Sequence, residues 1–134
     1  MELADKVRAA KRVYLIGNGG SAANAMHIAN DLIACGVKAY TLDLATLTAI
    51  GNDFGYEHIF SKWLATVGEK GDLLIALSGS GKSRNILNAL AMADEIGMES
   101  VLISDHLQTM DMQQSEEAQI ALGHELLRCL RPKN

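Results

Sequence analysis

Apolar and polar positions along the chain follow two rhythms. "RVYLIG" (12–17), "DLLIALS" (72–78) and "ESVLIS" (99–104) are short, nearly unbroken apolar runs, which read as strands buried on both faces. "VKAYTLDL" (37–44) reads as a further strand, and "TMDM" (109–112) fits a short edge strand. Helical patterns lie between them. "KVRAAK" (6–11) is a short helix, and the Ala-, Met-, Ile- and Leu-rich stretch from Ser21 to Cys35 is a helix that stops at Gly36. "YEHIFSKWLATVG" (56–68) and "SRNILNALAMADEIG" (83–97) are helices, each closed by a Gly that can adopt a left-handed backbone. "SEEAQIALGHELLRCL" (115–130) is a last helix, with Ser115 as its cap and Glu116 and Glu117 in the first turn, where the helix dipole favours acids. Strands alternating with helices predict an α/β doubly wound (flavodoxin-like) fold, a parallel sheet between two helical layers. Ligands of such folds sit at the carboxyl ends of the strands.

Composition narrows the picture. The 134 residues suit one domain, 1–134, with a substantial core. The net charge of −4 argues against a nucleic-acid partner. No apolar run is long enough to span a membrane. The charged start "MELADKVRAAKR" has no apolar core of a secretory signal. Cys35 and Cys129 stand isolated, as buried thiols in a reducing cytoplasm do.

Two loops fall at strand ends. "SGSGKS" (78–83) resembles a nucleotide loop, but GxxxxGK[ST] requires Gly where the chain has Ala76. What remains is a strand–turn–helix entry with the hydroxyls of Ser78, Ser80 and Ser83 beside Gly79. Those hydroxyls and free helix N–H groups suit one phosphate; a solvated turn with a Ser cap is the plainer alternative. In "GNGGSA" (17–22), Gly17, Gly19 and Ala22 fit GxGxx[GA], with Asp43 further on at a strand end, as in dinucleotide-binding folds.

Together, "GNGGSAANAMHIANDL", "AIGNDFGYEHIFSKWL" and "SGSGKSRNILNAL", followed by "EEAQIALGHELL", resemble the sugar isomerase (SIS) domain family, and within it the phosphoheptose isomerase group. The resemblance implies an aldose–ketose isomerase that converts sedoheptulose 7-phosphate to D-glycero-D-manno-heptose 7-phosphate, cytoplasmic and homo-oligomeric (dimer or tetramer), with its site near a subunit interface. It places Ser21, Ser78, Ser80 and Ser83 at the phosphate and Asn18 and Asp53 by the sugar, with Gly19, Gly79 and Glu116 as further substrate-binding residues. A non-catalytic SIS protein that binds sugar phosphates, or one that associates with a replication initiator, is the alternative.

The resemblance matches His124 to the family's catalytic histidine, Asp31 to its catalytic glutamate and Glu116 to a family glutamine. Isomerisation moves one proton between two carbons and another between two oxygens. Histidine ordinarily titrates near neutrality, which suits the base; Asp31 would serve the oxygens. His27 and Asp31, one turn apart on one helix face, with Glu116 and His124 form a ligand set that zinc accepts. Positions 116 and 124 are about 12 Å apart along an ideal helix, so both reach one ion only by leaning together. The chain lacks the family's long N-terminal helix, its 105–112 segment is short, and Asp31 is one methylene shorter than Glu. Apolar residues on the 115–130 helix are the expected subunit interface.

Overall fold

The computed structural model describes residues 1–104 and 111–132. Four parallel strands, β1 (Val13–Ile16), β2 (Ala39–Tyr40), β3 (Leu73–Leu77) and β4 (Glu99–Ile103), form one sheet in the order β2-β1-β3-β4. Six α-helices are described: α1 (Glu2–Ala9), α2 (Gly20–Ala34), α3 (Leu44–Phe54), α4 (Ile59–Val67), α5 (Arg84–Ile96) and α6 (Met112–Leu130).

Every residue of β1 and β3 is buried, and their side chains divide by parity. Val13, Leu15, Leu73, Ile75 and Leu77 pack with α1, α2 and α6 on one face. Tyr14, Ile16, Leu74 and Ala76 pack with α4 and α5 on the other. The strand period of two thus explains why these runs are apolar throughout: each face has its own helical layer. The expected three-layer α/β architecture is present.

The order of the strands places the site. The chain leaves β1 toward β2 on one side and returns through β3 on the other, which makes the β1/β3 boundary a topological switch point. Ile16 pairs with Ala76, so the Gly17–Ser21 loop and the Ser78–Ser83 loop emerge side by side.

Several expectations are corrected. The run 37–44 yields only the two residues of β2, because Asp43 begins a helix: its carboxylate accepts from the Thr46 N–H and caps α3. That helix has no buried residue, only Leu47 and Ile50 packed partly against the core. Gly97 closes α5 with a left-handed φ of 87°, as expected, whereas Gly68 closes α4 at φ −77°. The 56–68 helix begins as a 3-10 turn over Tyr56–His58. The α6 cap is Asp111 rather than Ser115, in a capping box with Gln114. Asp111 and Met112 thus open a helix rather than a strand; Thr109 and Met110 lie outside the described residues.

Candidate functional site

The two strand-end loops meet in a cavity of about 70 Å³ lined by Asn18, Ser21, Leu77, Ser78, Gly79, Ser80, Ser83 and Met112. Its size is far below the roughly 300–1,000 Å³ of a drug-sized pocket and suits one compact group. α2 and α5 both begin here. Among the described residues no side chain caps either helix, whereas α3 and α6 carry Asp caps. Uncapped N-termini leave backbone N–H groups and the positive end of the dipole unsatisfied, a fit for an anion. Ser83 is the α5 N-cap residue, yet its side chain makes no capping bond. Ser78 Oγ accepts from Gly81 N–H and Ser80 Oγ from Lys82 N–H, both at 3.1 Å. Each hydroxyl therefore spends a lone pair in the turn and keeps its proton to donate.

Asn18 is held rigidly. It exchanges two amide hydrogen bonds with buried Asn85, each 2.9 Å, and its Oδ1 also accepts from the Tyr56 hydroxyl at 2.9 Å. Asn85 and Tyr56 escape sequence reasoning, because their partner lies in a different loop. Gly19 is the N-cap of α2, at φ 57°, and does not line the cavity. Asp53 lies exposed in the last turn of α3, paired with Asn52, and does not line the cavity. Asp43 serves as the α3 cap, so the acid that completes the dinucleotide pattern is engaged in local structure. Its N–H partners hold its carboxyl below the usual range, the Thr46 hydrogen bond most.

A second constellation lies farther along α2. His27, Asp31 and His124 each place one ligand atom within 4.8 Å of the others. His124 Nε2 is 3.4 Å from His27 Nε2, and His27 Nε2 is 3.4 Å from Asp31 Oδ2. Asp31 Oδ2 is buried and, among the described residues, has no hydrogen-bond partner. Tetrahedral zinc with N and O donors at ~2.0–2.1 Å sets its donors about 3.3 Å apart, so the spacing, the donor types and the orphaned carboxylate oxygen all fit that ion. Glu116 stands apart from the trio. Its carboxylate lies over Gly20, where any Cβ would overlap it.

Gly123 brings the trio together. A Cβ on it would stand 2.6 Å from Ile28 Cγ1, so only glycine lets α6 approach α2 this closely. Ser21, Asn24, His27 and Asp31 recur along the α2 face that meets α6. The interface expected from the 115–130 helix is not where the exposed apolar residues are. Leu126 is buried, and the exposed ones include Met26 and Ile33 on α2, Leu44 and Phe54 on α3, and on α6 Met112, which precedes the 115–130 stretch.

Residues 2–104 match the family model described as SIS domain. A phosphoheptose isomerase of Akkermansia muciniphila is 43% identical over 108 residues, covering 75% of this chain and 57% of that protein. The chain spans about half the length of the curated relatives it matches. The solved phosphoheptose isomerase of Neisseria gonorrhoeae superposes with a TM-score of 0.87 at 28% identity, covering 96% of this chain and 80% of that one. That of Francisella tularensis gives 0.86 at 27%, covering 96% and 82%. No described helix is long and apolar enough to cross a membrane.

Proposed function

The chain belongs to the SIS domain family, and we propose that it binds a phosphorylated sugar and interconverts its aldose and ketose forms, with sedoheptulose 7-phosphate as the substrate type. The observation that carries this reading is the cavity where two uncapped helix N-termini meet the hydroxyls of Ser21, Ser78, Ser80 and Ser83. A phosphate monoester supplies the charge and the acceptor oxygens that this cavity lacks. Ser21 and His27 are ~9 Å apart along α2, a span that a long sugar chain can bridge. The phosphate end then lies in the cavity and the carbonyl end beside His27, Asp31 and His124.

In this reading Asn18, locked by Asn85 and Tyr56, orients the sugar at the mouth of the cavity, with Gly19, Asp53 and Glu116 at its margin. Without a bound metal, an imidazole nitrogen of His124 moves the proton between the two carbons and the Asp31 carboxylate moves the proton between the two oxygens; with zinc bound, both side chains would serve as its ligands instead. His27, Asp31 and His124 would hold zinc, with Glu116 reaching it only after leaving Gly20. Bound zinc supplies Lewis-acid polarisation of a sugar oxygen. Residues 1–134 act as one domain, since both helical layers share one sheet. We place the protein in the cytoplasm as a homo-oligomer, joined through the exposed apolar residues of α2 and α3.

The deciding experiment is isomerisation of sedoheptulose 7-phosphate by the purified protein, with and without zinc, alongside calorimetric binding of the same sugar. Turnover is expected. Binding without turnover in either condition replaces the isomerase with a sugar-phosphate-binding protein.

A further inference from the structure

The α2–α6 seam contains a chain of amide groups whose direction is fixed. Asn24 Nδ2 donates to the Glu116 carbonyl oxygen at 2.9 Å. A carbonyl only accepts, so Asn24 must turn its NH2 group toward α6. The same NH2 reaches Gln119 at 2.9 Å, where only Oε1 can accept it. Gln119 is thereby left facing Ser21 with its own NH2, and donates to Ser21 Oγ at 3.1 Å. Gln119 and Ser21 are both almost fully buried, at 3% and 4% exposure, so water does not scramble the order. With its oxygen already accepting from Gln119, Ser21 keeps its proton for the cavity it lines.

From this we propose that Gln119 is a positioning residue that fixes the Ser21 hydroxyl as a donor to the phosphate group. The inference rests on the phosphate reading of the cavity. It adds a residue that does not touch the ligand, and a reason why α6 must be docked for the cavity to present its full set of donors. The ligand class favoured is a dianionic phosphate monoester, because the described cavity lining has no charged side chain and carries four serine hydroxyls able to donate.

Gln119→Glu tests it with little change in shape. A carboxylate at 119 accepts from Asn24 as before but also accepts the Ser21 proton, which reverses the last link. The dissociation constant for sedoheptulose 7-phosphate, measured by calorimetry, is expected to rise at least tenfold. The added charge alone would also weaken binding, so Ser21→Ala is measured in both backgrounds. In the wild type it is expected to raise the constant about tenfold. In Gln119→Glu it is expected to raise it less than twofold, since Ser21 no longer donates to the ligand. A full tenfold cost in both backgrounds overturns the proposal. Gln119→Met removes the donor without offering an acceptor; about a threefold loss is expected. Wild-type affinity in that variant overturns the proposal too, and decides the matter should Gln119→Glu not fold. If the wild type binds neither sedoheptulose 7-phosphate nor inorganic phosphate, the phosphate reading and the relay fall together. If it binds and Gln119→Glu binds equally, only the relay falls.

Discussion

Gly123→Ala is a sharp test of how the trio is assembled. The added methyl would lie 2.6 Å from Ile28 Cγ1 and 2.9 Å from Cδ1. Carbon atoms settle at ~3.5–4.0 Å, so a gap of about 1 Å must open between α2 and α6. Ile28 is buried and branched at Cβ, which leaves it little room to turn aside. Overpacking of this kind costs about 1–3 kcal/mol, and alanine in place of glycine within a helix returns about 1 kcal/mol. The net change in stability therefore lies between nothing and about 2 kcal/mol. The geometric effect has no such compensation. His124 follows Gly123 directly, His27 precedes Ile28, and their Nε2 atoms are 3.4 Å apart. Metal–ligand distances tolerate about 0.2 Å, so a separation of about 1 Å removes one imidazole from the ion. Zinc affinity, read by competition with a chromophoric chelator, should fall at least tenfold, while a urea melt shows the smaller stability loss. Adding Ile28→Ala should restore zinc affinity although it costs a further ~2–5 kcal/mol of stability. A Gly123→Ala protein with wild-type zinc affinity would refute the spacing argument, and a wild type that binds no zinc would refute the trio as a metal site.

Three further outcomes are expected. Ser80→Ala should weaken sugar-phosphate binding by about 1–3 kcal/mol, the range for a hydrogen bond to a charged group, and calorimetry should detect no ATP binding in either protein. His124→Ala should lose zinc and turnover together, whereas Asp31→Glu, with a longer reach, should keep zinc and raise the isomerisation rate; a coupled assay and metal analysis check both. Asp43 is held below the usual carboxylate range chiefly by the Thr46 hydrogen bond, so its contribution to stability is complete above the unfolded pKa near 4 and disappears as pH falls through the lower folded value. Asp43→Ala should accordingly lower the melting temperature at pH 7, and the difference from wild type should shrink as the pH falls through that lower folded value.

The legible parts of the chain are those whose signal is local. The runs around Leu15 and Ile75 are apolar because both faces of the sheet are covered there, whereas the edge strand β4, around Val101, has no buried residue. Glycines after α2 and α5 mark helix ends in place. α3 is hard to read because "LATLTAIG" is apolar without an inward-facing stripe; the useful signal is Asp43, whose carboxylate caps Thr46 N–H three residues on, although Asp43 also fits the glycine-rich fingerprint. The loops 17–22 and 78–83 were found from their small residues and hydroxyls. Asn85, Tyr56, Asn24 and Gln119 were not, because each acquires its role from a partner far away in sequence. Gly123 was hidden for the same reason: a glycine inside a helix looks like a weakness until the neighbouring helix is in view. The family resemblance groups Glu116 with the trio, but eight positions of helix separate it from His124 and its carboxylate lies over Gly20.

The α2–α6 seam also has a consequence for how the protein acquires its structure. Its hydrogen bonds join residues 92 to 98 positions apart, whereas β1 pairs with β2 at an offset of 26 positions (Val13 with Ala39) and with β3 at 60 (Val13 with Leu73). The longer loop costs only slightly more to close, but the seam has no surface to dock on until the sheet exists, so α6 is expected to dock late. α6 contributes no strand, so its departure leaves the pairing of β1–β4 in place. Local opening of α6 would dissolve the His27–His124 contact and the Ser21–Gln119 bond in one event. Ligand binding should then slow amide exchange in α6 far more than in β1 or β3. The sheet would hold its protection whether the site is formed or not, and recognition would become the final stage of folding.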